Sequence, residues 1–139
     1  MTPRDRYWLA GLLEGEGCFV LAKSTSYHTR VPHVYLHPRV DLVMTDEDIV
    51  RRAAALMGTP TCRRMPGAGP QRIAHAKNTG REYKPLWKTT LYASRAAALM
   101  RSILPLMGMR RQKKIREVLA EWERTRAQPW GKRNMGDAK

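Results

Sequence analysis

The sequence predicts an α+β fold whose elements run helix, two strands, helix, two strands, helix, with one more helix at the C-terminal end. Three observations predict it. At 139 residues the chain fits one domain with a real core. Capped segments with helical spacing of apolar residues open, divide and close it, and period-two segments fill the gaps between them.

The first helix is expected from Pro3 to Glu14, with Thr2 as cap, Pro3 at the first helical position and Asp5 complementing the dipole; Gly15 and Gly17 should stop it. Cys18 to Lys23 and Val34 to Met44 read as strands joined by a polar loop from Ser24 to Pro32. In the second, Tyr35, His37, Arg39 and Asp41 alternate with Leu36, Val40 and Leu42. Thr45 is the expected cap of a helix with Ile49, Ala53 and Leu56 along one face and Gly58 just beyond its end.

Thr61 to Lys77, broken by Pro66, Gly67, Gly69 and Pro70, suggests a wide hairpin or bent strand. Tyr83 to Tyr92 is a clearer strand, with Trp87, Thr89 and Leu91 opposed to Lys88, Thr90 and Tyr92. Ser94 should cap a helix to about Leu104, which Pro105 breaks. Met109 to Arg124 forms the last helix, with Ile115, Val118, Leu119 and Trp122 as its stripe. Residues 1–126 read as a single domain and 127–139 as a basic, flexible tail, and no internal repeat is visible.

The net charge of +14 and pI near 10.6 exceed anything solubility requires and imply a polyanionic partner. From Ile49 to Arg116 there are sixteen basic residues and one acid, Glu82, while the rest of the chain nets about zero. No bulky amphipathic basic helix or long apolar span favours a membrane. Cys18 and Cys62 lack metal-ligand spacing, and His28, His33, His37 and His75 lack paired partners, which argues against a zinc site and for two thiols in an intracellular protein of cytoplasm, nucleoid or organelle.

The first helix ends in Leu9-Ala10-Gly11-Leu12-Leu13-Glu14-Gly15-Glu16-Gly17. These residues match the motif L-A-G-L-I-D-A-D-G position by position, with Glu at both acidic places, and from about Tyr7 to Trp122 the order of elements follows that family's unit. The chain therefore resembles the LAGLIDADG homing endonucleases, of the single-motif, homodimeric type. Taken alone, the nine residues also fit an apolar helix with a glycine stop; the downstream pattern favours the motif.

The resemblance implies an αββαββα unit whose twisted four-stranded antiparallel sheet forms a DNA saddle, with the helices on its other face. It implies hydrolysis of phosphodiesters in both strands of a long pseudopalindromic site, with Mg²⁺ as cofactor and Mn²⁺ or Ca²⁺ able to substitute for binding. It further implies intron mobility, with double-stranded DNA, a second copy of the chain and the host intron RNA as partners. Glu16 would ligate metal from each subunit, with the Gly15 carbonyl as a second ligand, and Glu14 would cap or support the helix end. Independently of the family, Gly11 and Gly15 lie four apart on one helix face and would let two helices approach closely. Leu9 and Leu12 complete that expected dimer interface.

At the end of the second strand, where many members have Gln then Lys, this chain has Met44-Thr45-Asp46, so Thr45 could bond a catalytic water, although capping the helix is its plainer role. The family's catalytic basic residue falls on Arg110, or else Arg111, to stabilise charge on the phosphate; a solvated or phosphate-contacting charge run with Lys113 and Lys114 is an equal alternative.

On the sheet, Tyr35, His37, Arg39, Asp41, Lys84, Lys88, Thr90 and Tyr92 are expected to be exposed base-readers, with Arg39 and Lys88 addressing guanine and Asp41 cytosine. Arg63, Arg64, Arg72, Lys77 and Arg81 would neutralise phosphates. A site on the order of 20 base pairs follows from two sheets end to end. The alternatives are a non-cleaving regulator or RNA-splicing maturase on the same scaffold, and a basic ribonucleoprotein component, which would leave the motif unexplained. Retention of Glu16 and Arg110 favours the nuclease.

Overall fold

Helix α1 (Pro3–Glu16) starts where its sequence places it: the Asp5 N–H donates to Thr2 Oγ1 at 3.1 Å, and Pro3 occupies the first helical position. The computed structural model describes residues 1–28, 30–65, 80 and 84–127. The helix passes through Gly15, which sequence alone makes a stop. A glycine weakens a helix by about 1 kcal/mol, and burial of Leu9, Ala10 and Leu13 along one face outweighs that.

Gly17 is the glycine with a steric requirement, since a Cβ there would lie 2.6 Å from the Leu13 carbonyl oxygen and 2.9 Å from Leu13 Cα. Both neighbours are backbone, so the helix-to-strand exit itself would have to move. Gly17→Ala is therefore expected to lower unfolding stability by about 1–3 kcal/mol, read as a lower midpoint in chemical denaturation.

Strand β1 (Gly17–Ser26) pairs antiparallel with β2 (His33–Met44), from Gly17 opposite Leu42 to Ser26 opposite His33. Ser24, Thr25 and Ser26, expected in a loop, extend β1 because β2 supplies ladder partners along their whole length. Strand β4 (Trp87–Tyr92) pairs with β2 on one side and with the two-residue β3 (Arg63–Arg64) on the other, giving one antiparallel sheet in the order β1-β2-β4-β3. Pro85, without an N–H, stands just before β4, which explains a start later than the expected Tyr83. The expected hairpin beyond Met65 falls on residues 66–79, outside those described.

Alternation sorts the sheet into two faces. Phe19, Val40, Leu42, Thr89 and Leu91 are buried on the side against which all the helices pack. The order and layering are those of an αββαββα unit with a further C-terminal helix.

Helix α2 (Glu47–Met57) has Asp46, without a side-chain capping bond, at its N-cap position in place of the expected Thr45, because β2 pairing holds the chain extended through Met44 and helical geometry begins one residue later. Its buried residues are Val50, Ala53, Ala54 and Met57, so the apolar stripe is turned from the expected one, leaving Ile49 and Leu56 half-buried at its edges. Gly58 closes the helix at φ 71°, where its left-handed conformation suits a residue without Cβ.

Helix α3 (Ala93–Ile103) follows β4 with no linker. Tyr92, not Ser94, is its cap, and Ala93 takes φ 56°, a left-handed conformation costing a non-glycine residue about 1–2 kcal/mol. A 3₁₀ turn at Leu104–Leu106, built on Pro105, leads into α4 (Met109–Ala127). That last helix buries Ile115, Val118, Leu119 and Trp122, the stripe its sequence displays.

Candidate active site and nucleic-acid interface

The foot of α1 meets the start of α4. Glu14 Oε2 accepts the Gly108 N–H at 3.0 Å, and the Gly108 carbonyl receives the first bond of α4 from Gln112 N–H. A carboxylate at the positive end of α4 is favoured by the dipole, so Glu14 caps a helix other than its own. Gly108 fits closely there: a Cβ would lie 3.0 Å from Glu14 Oε1.

Arg111 joins the same junction. Its Nε donates to the Glu14 carbonyl oxygen at 3.1 Å, and its guanidinium carbon lies 5.8 Å from the Phe19 ring centroid. Of the two candidate arginines, the structure brings Arg111 to the foot of α1 and leaves Arg110 on the exposed side of the first turn of α4.

Glu16 is the last residue of α1, exposed, and without a hydrogen-bond or ion-pair partner among the described residues. Gly17 pairs with Leu42, so the end of β2 and Thr45 beyond it emerge at the same end of the sheet as Glu16. Among the described residues no group of three or more His, Cys, Asp or Glu side chains could hold a metal ion. Glu16 is the carboxylate at this helix end that no partner occupies among the described residues, whereas Glu14 is committed to Gly108.

Gly11 and Gly15 are both exposed, and a Cβ at either would meet nothing within 4 Å. They form an open strip on α1, beside half-buried Leu12 and exposed Tyr7. Leu9, expected on this outward face, is instead fully buried in the chain's own core with Ala10 and Leu13.

The sheet face away from the helices carries, by register, Tyr35, His37, Arg39 and Asp41 of β2, Lys88, Thr90 and Tyr92 of β4, and Arg63 of β3. Three residues expected to be exposed there are buried, His37 at 9%, Asp41 at 7% and Thr90 at 4% exposure. Asp41 Oδ2 accepts from Arg39 Nε at 2.9 Å, Oδ1 accepts from Thr90 Oγ1 at 2.8 Å, and Lys88 Nζ lies 3.8 Å from Oδ1. His37 is covered by Tyr35 and Tyr92, with ring centroids 5.5 and 6.1 Å away. Tyr35 and Tyr92 themselves are about half exposed.

Arg64 is exposed but pairs with Trp87, which puts it out of register with Arg63, Lys88 and the rest of that face, and Lys84 is exposed just before β4. Arg72, Lys77 and Arg81 lie outside the described residues. Sequence reasoning missed the β1 contribution to this face, Val20, Ala22, Ser24 and Ser26. The period-two pattern continues through them, but a Ser-Thr-Ser run reads more readily as a loop.

Burial, with the Arg39 cation adding to it, holds His37 below the usual histidine value of 6.5. The unfolded chain then binds a proton that the folded chain refuses as pH falls below 6.5, so stability present above that pH declines toward the lowered folded value. The expected result is a urea midpoint that drops on acidification through this window, with a smaller drop in His37→Asn.

No protein-family model matches the sequence, and no curated protein matches it. Solved structures do. The group I intron-encoded homing endonuclease I-CeuI, complexed with DNA, superposes with a TM-score of 0.60 at 13% identity, covering 88% of this chain and 55% of that one. I-CvuI, in complex with its target in the presence of Ca, gives 0.56 at 12% identity over 84% of this chain and 69% of that one. The archaeal intron-encoded I-Vdi141I, complexed with DNA, gives 0.51 at 10% over 81% and 63%. This is the LAGLIDADG homing endonuclease fold. The chain spans only about half the length of I-CeuI. Within the LAGLIDADG fold, Leu9 to Gly17 occupy the motif helix and its exit into β1.

Proposed function

We propose that this protein is a divalent-metal-dependent homing endonuclease that cuts both strands of a long pseudopalindromic DNA site as a homodimer. The observation that carries the reading is the foot of α1, where Glu16, exposed and unpartnered among the described residues, ends the same helix turn whose Glu14 carbonyl anchors Arg111, with the open Gly11–Gly15 strip on that helix. DNA-bound neighbours of the same fold support the substrate class, and two I-CvuI complexes described with Ca and with Mg support divalent ions.

A second α1 laid along the strip would meet no side chain at Gly11 or Gly15, so the two helices could approach closely and bring both Glu16 residues to one place. Two carboxylates, with the Gly15 carbonyls, make a hard, all-oxygen donor set that suits Mg²⁺, an ion that keeps part of its water shell and binds phosphate oxygens. When bound, Mg²⁺ would supply Lewis-acid stabilisation and an activated water.

The chain's own residues supply the rest. Arg111 is held at its Nε, which leaves its other two guanidinium nitrogens to neutralise charge developing on the phosphate. Thr45, released from capping and exposed at the same end of the sheet, can hydrogen-bond a water. Arg39, Lys88 and Arg63 line the face that fits a major groove, while Lys84, Arg64 and the charged first turn of α4 can contact phosphates.

The test uses a plasmid carrying the sequences that flank this protein's gene, joined as the insertion-free allele. Linearisation with Mg²⁺ and none with EDTA supports the reading. Tight binding to that DNA without cutting would replace it by a regulator or maturase on the same scaffold.

A further inference from the structure

The DNA-facing side of the sheet holds an acid where a polyanion is expected to lie. Asp41 is far from idle there: its side chain is 10% exposed, and both carboxylate oxygens are occupied, one by Arg39 Nε at 2.9 Å and the other by Thr90 Oγ1 at 2.8 Å, with Lys88 Nζ at 3.8 Å. Thr90 is its direct cross-strand partner, and Arg39 is two residues along the same strand, so the backbone fixes all three on one face.

This geometry removes Asp41 from the role of base-reader. A carboxylate that accepts from cytosine needs a free, outward oxygen, and here each oxygen already has a donor. The charge balance points the same way, because one carboxylate between one guanidinium and one ammonium leaves the cluster net positive, so its acid does not repel phosphate.

Arg39 is affected most. With Nε committed to Asp41, the guanidinium retains its two terminal nitrogens, which have no partner among the described residues, and the side chain is 35% exposed. Two parallel N–H groups held by a rigid brace form the donor pair that matches O6 and N7 of guanine. An unbraced arginine would lose rotamer freedom on binding, whereas a braced one loses little.

We propose that Asp41 is a positioning residue for sequence recognition, holding Arg39 in a guanine-reading orientation on each half-site, with Thr90 securing the carboxylate from β4. The inference rests on the endonuclease reading only in requiring a specific DNA site, and it needs neither metal nor cleavage.

The experiment is selection from a pool of randomised duplex DNA in Ca²⁺ or EDTA, sequencing the bound fraction for the parent, Asp41→Asn, Arg39→Ala and Thr90→Val, with unfolding midpoints measured for each. The expected result is a guanine at one symmetric pair of positions that both Asp41→Asn and Arg39→Ala lose by about 10-fold in discrimination, with other positions unchanged. Thr90→Val weakens the same guanine to a smaller degree.

The inference is overturned if Asp41→Asn keeps the parent's profile, if it changes a different base pair from Arg39→Ala, or if it blurs every position along with a lowered midpoint. A parent that enriches no sequence overturns the site-specific endonuclease reading itself, and this inference with it.

Discussion

Glu16→Gln is expected to reduce Mg²⁺-dependent linearisation by at least about 10³-fold while leaving DNA affinity within a few-fold of the parent. Glu16 is exposed and unpartnered among the described residues, so loss of its charge would remove the proposed metal ligand without breaking a structural contact. Lewis-acid stabilisation of a phosphoryl transition state is worth several kcal/mol, and every 1.36 kcal/mol is tenfold in rate. Glu14→Gln should behave differently. Its carboxylate accepts the Gly108 N–H at the start of α4, so that change weakens the junction, and its effect should show in the unfolding midpoint as well as in cutting. Equal kinetic losses with an unchanged midpoint in both variants would contradict this division of roles.

DNA affinity is expected to fall by about 10³-fold or more between about 50 and about 200 mM salt, as when several phosphates are neutralised by each binding event. The cause is the run from Ile49 to Arg116, whose sixteen basic residues face one acid. Equilibrium binding at several salt concentrations gives the slope of log affinity against log salt. A slope close to zero would remove phosphate neutralisation from the account. Removing a cation proposed to contact phosphate, such as Arg64, should flatten that slope by about one, whereas removing Arg39 should mainly change which sequences bind.

What the sequence made legible follows the range of the interaction involved. The α4 stripe of Ile115, Val118, Leu119 and Trp122 and the Gly58 stop depend on helical period and a single φ, both local, and both stand in the structure as read. The phase of a helix is less local. The chain stays extended through Met44 because it pairs with Trp87, which moves the cap of α2 from Thr45 to Asp46 and turns its buried face. At α4 a one-residue difference decides between Arg110 and Arg111, and that phase is set by Gly108, held by Glu14 from the other end of the chain.

Leu9 and Gly11 show a second limit. Both belong to one apolar motif, and composition does not say which side of α1 meets the chain's own core and which remains open. Asp41 and His37 show a third: alternation put them correctly on the polar face, but their burial is decided by Thr90 and Tyr92 on a strand far along the chain. Sequence reveals which face a residue occupies and leaves its partners across the sheet to tertiary structure.

The measurement that tests the central claim most directly mixes the parent with Glu16→Gln at varied ratios, allows subunits to exchange, and follows both nicked and linear plasmid. If two α1 feet build one shared cutting centre, both products fall as the square of the parent's fraction, and no nicked circle accumulates. A linear decline would show that one chain cuts alone, and a build-up of nicked circle at equal mixing would show that each subunit cuts its own strand without its partner's Glu16; either result contradicts the shared centre.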